Sequence, residues 1–490
     1  MSYILPRSYF RLILFALAAL LGLDSCIQNQ MEAPLEKIKM LSDKGEFSDA
    51  LRLRDSLIKL KPLTPDEIQK ADSMIEINRR VAIDFRRSKA EVTSQLAKYF
   101  PDPESLMAQW EQSKRLEQRF IDGEKRYFAQ AVPNLFRLDS AARERMISVE
   151  GESVDSLDII RLNHTAQVID QTKKAGALTQ PVKFGFRYTI TLNADAVPDG
   201  ETVRCWMPFA GEQSPRQQSV KLIGSSPEKH ILSPSSDLQR SVYLEQKAKE
   251  GVPTSFSITF ETLGQAQYFD LEQLNVLPYD TTSPQYRKYT AERPPQILFS
   301  DKIKSLAKEI VRGTTHPAEQ VKMLYRWIDS HIVWASALEY STISNIPEYV
   351  LETGHGDCGM QTLLLMTMAR SLGIPVKWQS GWMLHPGEVN LHDWCEVYYE
   401  GVGWVPLDQS FGTQQSANPK LYDFYISGID SYRLIVNEEY GVPLTPAKRY
   451  MRSEPYDFQR GELEWDGGNL YFDQWDWQME VSYQPIEQPQ

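Results

Sequence analysis

Gly356-Asp357-Cys358 and, further on, His392-Asp393-Trp394-Cys395-Glu396-Val397 are the stretches on which the fold turns. Between them runs an apolar segment from Met360 to Leu372, closed by Gly373 and Pro375, a pair that stops a helix. Cys358 therefore opens a helix. Beyond it the pattern changes period: Val376 to Trp382, His392 to Tyr399 and Trp404 to Leu407 read as strands. On the second strand His392, Trp394 and Glu396 share one face, and Asp393, Cys395 and Val397 share the other. Gly401-Val402-Gly403 supplies the turn, and His392 and Asp408 lie symmetrically about position 400. A tight hairpin brings these two to roughly opposite positions, and a one-residue slip would send them to opposite faces, so a bulge is expected to set the register. Helices followed by an antiparallel sheet predict an α+β unit over 290–440.

Working outward, Phe184, Phe186, Tyr188, Ile190 and Leu192 alternate with polar or small residues, as do Val203, Cys205 and Met207 after the turn at Pro198-Asp199-Gly200. With Phe256, Ile258 and Phe260 they predict a β-sandwich domain over 178–280. Cys205 falls on an apolar strand face, as an inert buried thiol does. Upstream, residues 26–175 read as a helical region rich in Leu, Glu, Lys, Arg, Gln and Ala. Thr64-Pro65-Asp66-Glu67 is a capping box with proline at the first helical position, and a further helix is expected around Trp110 to Phe128. Downstream, residues 441–490 read as a β-rich C-terminal extension, with Trp475, Trp477, Met479 and Val481 in alternation; packing is the plainer use of those tryptophans than sugar stacking.

The chain has 490 residues, 42% apolar and 24% charged, and a formal net charge of −12. Such a length implies several domains, since one core rarely grows past roughly 250–300 residues. The acidic balance argues against a nucleic-acid partner, which requires a clustered basic face. Four cysteines in so long a chain exclude a disulfide scaffold. Arg7 and Arg11 precede an apolar run from Leu12 to Leu23 of about 18 Å as a helix, short of the roughly 30 Å of a bilayer core. Residues 1–25 thus read as a cleavable signal peptide. Leu23-Asp24-Ser25-Cys26 resembles a lipobox, with Asp24 departing from the usual small or aliphatic residue. Cys26 is the expected lipidation site, and a lipid-anchored cell-envelope location, on the periplasmic side or at the cell surface, is the expected address.

Removing Cys26 leaves Cys205, Cys358 and Cys395, an odd number, so at least one remains a free thiol. Cys358 stands at a helix N-terminus, where unpaired N–H groups and the positive end of the helix dipole favour thiolate. A carboxylate beside His392 would fix its tautomer and stabilise the imidazolium formed on taking the thiol proton. Three other readings compete. His355, Cys358 and His392 are possible zinc ligands, though no Cys-x-x-Cys pair or His-Glu-x-x-His helix accompanies them. Cys358 and Cys395 are a possible disulfide, although alternation points Cys395 away from His392. The whole chain is alternatively a non-catalytic envelope adaptor.

Gly356-Asp357-Cys358, Gly373-Ile374-Pro375, His392-Asp393-Trp394-Cys395-Glu396-Val397 and Gly403-Trp404-Val405-Pro406-Leu407-Asp408 resemble the transglutaminase-like, papain-related superfamily over roughly 300–412. The strand-rich block before them is similar to the β domain that often precedes this core in bacterial members. The resemblance implies Cys358 as nucleophile, His392 as general base and acid, Asp408 as orienting carboxylate, and Trp334 as the side-chain donor of an oxyanion hole. It implies no cofactor and no metal. The implied activity is acyl transfer on a protein, peptide or carboxamide substrate through a thioester, with hydrolysis favoured over transamidation of protein glutamine by analogy.

Overall fold

The computed structural model describes residues 35–60, 64–152 and 156–485. The expected signal peptide, Cys26 and the last five residues lie outside the described residues. No described helix is long and apolar enough to cross a membrane. The chain divides into two compact units, up to Val132 and from Pro133 onward.

The first unit is mainly helical, with helices at 35–43, Phe47–Leu60, Pro65–Asp84, Lys89–Leu96 and Glu104–Gln112. The Thr64 capping box forms as the sequence predicts: the Thr64 hydroxyl accepts from the Glu67 N–H, and the Glu67 carboxylate accepts from the Thr64 N–H. The helix expected over Trp110 to Phe128 does not form as such. It stops at Gln112, and Gln118–Ile121 and Glu124–Tyr127 pair as a hairpin, which Arg87–Ser88 extends to three strands. Asp122-Gly123 makes the turn with φ of +49° and +81°, the two left-handed residues that a two-residue hairpin demands.

The second unit holds two sandwich sheets and a helix-plus-sheet core. Its strands of three or more residues, in chain order, are β1 (Leu178–Leu192), β2 (Thr202–Pro208), β3 (Gln217–Ser226), β4 (His230–Leu232), β5 (Ser241–Lys247), β6 (Thr254–Tyr268), β7 (Val376–His385), β8 (Glu388–Tyr399), β9 (Gly403–Leu407), β10 (Arg433–Asn437), β11 (Glu462–Trp465), β12 (Gly468–Leu470) and β13 (Trp475–Pro485). One sandwich sheet places β1 between β6 and β13, with β3 also on β6; the other runs β12-β11-β2-β5-β4. The strands expected after residue 440 join this sandwich: β13 pairs along the length of β1, with Trp475 opposite Leu192, and β11 pairs with β2. Phe186, Phe260, Cys205 and Trp206 are buried in the core between the sheets. Such a closure buries the face of β1 that carries Phe184, Phe186 and Tyr188 and leaves Lys183 and Arg187 exposed on the other, each buried side chain contributing about 1.5–3 kcal/mol.

The second core is assembled from α1 (Asp301–Ile310), α2 (Pro317–His331), α3 (Ile346–Thr353), α4 (Cys358–Ser371) and the antiparallel sheet β9-β8-β7-β10. α4 is buried nearly all round from Gly359 to Arg370, which explains its continuous apolar sequence: α1, α2 and α3 pack on it together with the sheet. Cys395 and Val397 of β8 belong to this core, whereas Trp394 packs with Ile429 and Ile435 in a separate cluster. The alternation read from sequence is thus realised. The β8–β9 register is centred one residue later than expected, pairing Cys395 with Leu407 and Tyr399 with Gly403, without a bulge. Asp408 consequently follows in line with Trp394 and lies diagonal to His392, which keeps it on His392's face.

Candidate active site

Cys358 is the first residue of α4, and Asp357 caps that helix, its Oδ1 accepting from the Met360 N–H at 3.1 Å and from the Tyr340 hydroxyl at 2.5 Å. Short parallel strands Val333–Trp334 and His355–Gly356 pair just upstream and bring Trp334 alongside Gly356. Cys358 is half-buried and opens onto a cavity of about 260 Å³, lined among others by Trp334, Tyr340, Asp393, Asp457 and Arg460. Trp334 is 43% exposed, and the Arg137 guanidinium lies 4.8 Å from its ring centre.

His392 and Asp408 come together. Nε2 of His392 and Oδ2 of Asp408 are 2.7 Å apart, both residues are buried, and the imidazole stacks on Phe411 at 4.8 Å and on Trp394 at 5.8 Å. Asp408 has a second partner that the sequence did not announce: Arg433 of β10 donates to the same oxygen at 2.9 Å and also pairs with Asp430 at 3.0 Å. Burial alone would push the Asp408 carboxyl up, but His392 and then Arg433 outweigh it and hold it below the usual range. Arg433 and His385 do the same, more strongly, for Asp430.

The thiol behaves otherwise than the helix N-terminus implies. Burial, then the carboxyls of Asp393 and Asp357, push the Cys358 thiol well above the ordinary cysteine range; the Asp393 N–H works in the opposite sense but does not prevail. The resting group is therefore a neutral thiol, not a thiolate. Its hydrogen-bond partner is Asp393, with Sγ to Oδ2 at 3.6 Å. The expected hydrogen bond from Cys358 to His392 is not made among the described residues. The cavity reaches Leu391 and Asp393, on either side of His392 in the chain, without including His392 itself. The thiol thus meets Asp393, the neighbour of His392 on β8, and strand alternation turns these two side chains to opposite faces of the sheet.

The other cysteines are accounted for. Cys205 and Cys395 are buried free thiols pushed up by burial, and Cys358 is free as well, so the Cys358–Cys395 disulfide is not formed. Among the described residues no group of three or more His, Cys, Asp or Glu is arranged to hold a metal ion. His355, the remaining possible zinc ligand, is buried with its ring edge-on to Tyr349.

Residues 304–409 match the family model of the transglutaminase-like superfamily. The chain carries a transglutaminase-like domain. The match begins inside α1 and ends one residue past Asp408, so it spans α4, β7, β8 and β9 with Cys358 and His392. An uncharacterised protein of Bacillus subtilis (strain 168), YebA, is 24% identical over 150 residues, covering 26% of this chain and 20% of that protein. The match thus spans about a fifth of the length of that curated relative. Among solved structures, a candidate cysteine protease from Cytophaga hutchinsonii is 17% identical, with 64% of this chain and 93% of that one covered at a TM-score of 0.43. The periplasmic domain of TgpA from Pseudomonas aeruginosa is 11% identical, with 53% and 94% covered at a TM-score of 0.26.

Proposed function

We propose that this transglutaminase-like domain is a cysteine-dependent acyl-transfer enzyme that hydrolyses a peptide or carboxamide bond through a thioester. The observation that carries the reading is a thiol at the start of α4, open to a cavity, in a domain that also holds an imidazole already hydrogen-bonded to a carboxylate. Because Nε2 of His392 is engaged by Asp408, Nδ1 is the nitrogen that receives the thiol proton. That transfer requires Sγ to leave Asp393 and to come within hydrogen-bond distance of Nδ1, a contact not made among the described residues. The sulfur then attacks the carbonyl carbon, forming the C–S bond as the carbonyl electrons move to oxygen. Asp408 stabilises the imidazolium, being kept anionic by Arg433. The unpaired N–H of Cys358 at the helix start and the indole N–H of Trp334 are the donors for the oxyanion. Collapse breaks the C–N bond, with His392 returning its proton to the departing amine. Water, deprotonated by the same imidazole, then releases the acid and restores the thiol.

Replacing water by a primary amine in the last step turns the same site into a transamidase of protein glutamine. Product analysis separates the two. Peptides containing glutamine and ordinary amide bonds are incubated with the parent and with Cys358→Ala, with and without an added primary amine. Free acid from the parent under both conditions supports hydrolysis, amine incorporation supports transamidation, and equal yields from parent and Cys358→Ala refute both. In that last case the non-catalytic adaptor is the better reading. We also read the chain as exported and tethered through acylated Cys26, which labelled-palmitate incorporation in the parent and its absence in Cys26→Ala would test.

A further inference from the structure

The group bonded to the Cys358 sulfur is the carboxyl of Asp393, which is 1% exposed. It is held from behind: Gln459 Nε2 donates to its Oδ1 at 2.7 Å and to the His392 carbonyl at 2.8 Å, clamping both residues of β8. It is admitted from the front by Gly359, where an added Cβ would stand 2.5 Å from Oδ2 of Asp393 and closer still to the Tyr340 hydroxyl oxygen. The carboxyl, its support and its clearance are therefore all in place at the reacting atom.

We infer that Asp393 is a further residue acting on the nucleophile: its carboxylate accepts the thiol hydrogen of Cys358 and keeps the sulfur neutral until that contact is released. In the restrained state the S–H bond is intact. On release the proton passes to Nδ1 of His392 and the electron pair stays on sulfur, so the pair Cys358–Asp393 and the pair His392–Asp408 compete for one thiol. The role of His392 rests on the acyl-transfer reading; the restraint by Asp393 does not.

The charges around Asp393 come from every side. Cys358 and Asp357 face it from the start of α4, Tyr340 from the preceding loop, and Asp457 and Glu454 from the loop after β10, where Arg460 pairs with Glu454 and Glu339. Burial, Asp457 and Asp357 push the Asp393 carboxyl well above its ordinary range, and the hydrogen bond from Cys358 pulls it down, so the restraint acts above the pH at which this carboxyl ionises. An anionic oxygen beside Sγ raises the energy of a thiolate there; an amide of the same shape does not.

Asp393→Asn keeps the Oδ1 acceptor for Gln459 and removes the charge. In the full chain, the pH dependence of iodoacetamide alkylation at Cys358, read by peptide mapping, should move down by at least one pH unit. Above the pH at which Asp393 ionises in the parent, the rate should rise about tenfold, the equivalent of one unit. An unchanged or slower rate overturns the inference, because Asp393 would then be neutral toward the thiol or would be its base. A second measurement leaves Asp393 in place: in Cys358→Ala, the ¹³C carboxyl titration of Asp393 should shift upward, having lost the thiol's hydrogen bond. No shift also overturns it. Faster alkylation in a chain that turns over no peptide would uphold the restraint and sink the acyl-transfer reading, and turnover with unaltered alkylation would do the reverse.

Discussion

Asp357→Asn isolates one buried charge with a calculable cost. The Asp357 side chain caps α4 and accepts from Met360 N–H and Tyr340 O–H, interactions that asparagine's Oδ1 preserves. Burial pushes this carboxyl from 3.8 to about 6, the two hydrogen bonds opposing the shift without cancelling it. Because the folded chain holds this proton more tightly than the unfolded chain does, the associated stabilisation is full below about pH 3.8 and is lost as pH rises through 6. A gap of about two units at about 1.4 kcal/mol each makes the loss about 3 kcal/mol. Asparagine cannot ionise and suffers none of it. Urea unfolding of parent and variant, followed by tryptophan fluorescence at intervals from about pH 3.5 to 7.5, should show the variant gaining on the parent by about 3 kcal/mol across that window. The gain should be flat above about pH 7. Parallel stability curves would refute the reasoning, because the carboxyl would then be equally acidic folded and unfolded.

Other consequences follow from single contacts. Arg433→Met leaves Asp408 and Asp430 buried without their shared cation; unfolding should become easier by about 3–5 kcal/mol. In whatever folded fraction remains, the acid limb of activity should move to higher pH, since Arg433 holds Asp408 down. Gly381→Ala drives a Cβ into the Leu434 carbonyl where β7 meets β10 at a register shift, and calorimetry should record a loss of about 3 kcal/mol. Trp334→Phe keeps the ring and deletes the indole N–H. If that group serves the oxyanion, kcat should fall by about 10²–10³ with KM nearly unchanged.

Much of this site was legible in the chain itself. The Cys358 helix start, the Gly373 and Pro375 stop, and the alternation along His392 to Val397 are local signals, and local rules decide them. Asp393 was within reach of the same reasoning: alternation puts it on the face of Cys395, the face that meets α4, yet a histidine in the neighbouring position draws the eye. Arg433 was not within reach, for it arrives on a strand paired through a register shift with β7, and no spacing connects it to Asp408. Nor was the pairing of β13 with β1, a contact between residues nearly 300 positions apart that alternation permits but does not specify. The hairpin at Asp122-Gly123 carried its turn signal openly. It was hidden by neighbours that also form good helix, which is where propensity yields to tertiary pairing. The neutral thiol shows the converse: the helix terminus is a weak field, and burial, with two carboxyls beside the sulfur, overrules it.

The central claim is that Cys358 carries the acyl group. Rapid-quench intact mass and peptide mapping with an activated p-nitrophenyl ester test it most directly. The account predicts a single acyl adduct on the peptide containing Cys358 in the parent, none in Cys358→Ala, and in His392→Ala an adduct that forms more slowly and, once formed, persists, since neither thiol nor water is then activated. An adduct on any other residue, or the same transient adduct with and without His392, would contradict it.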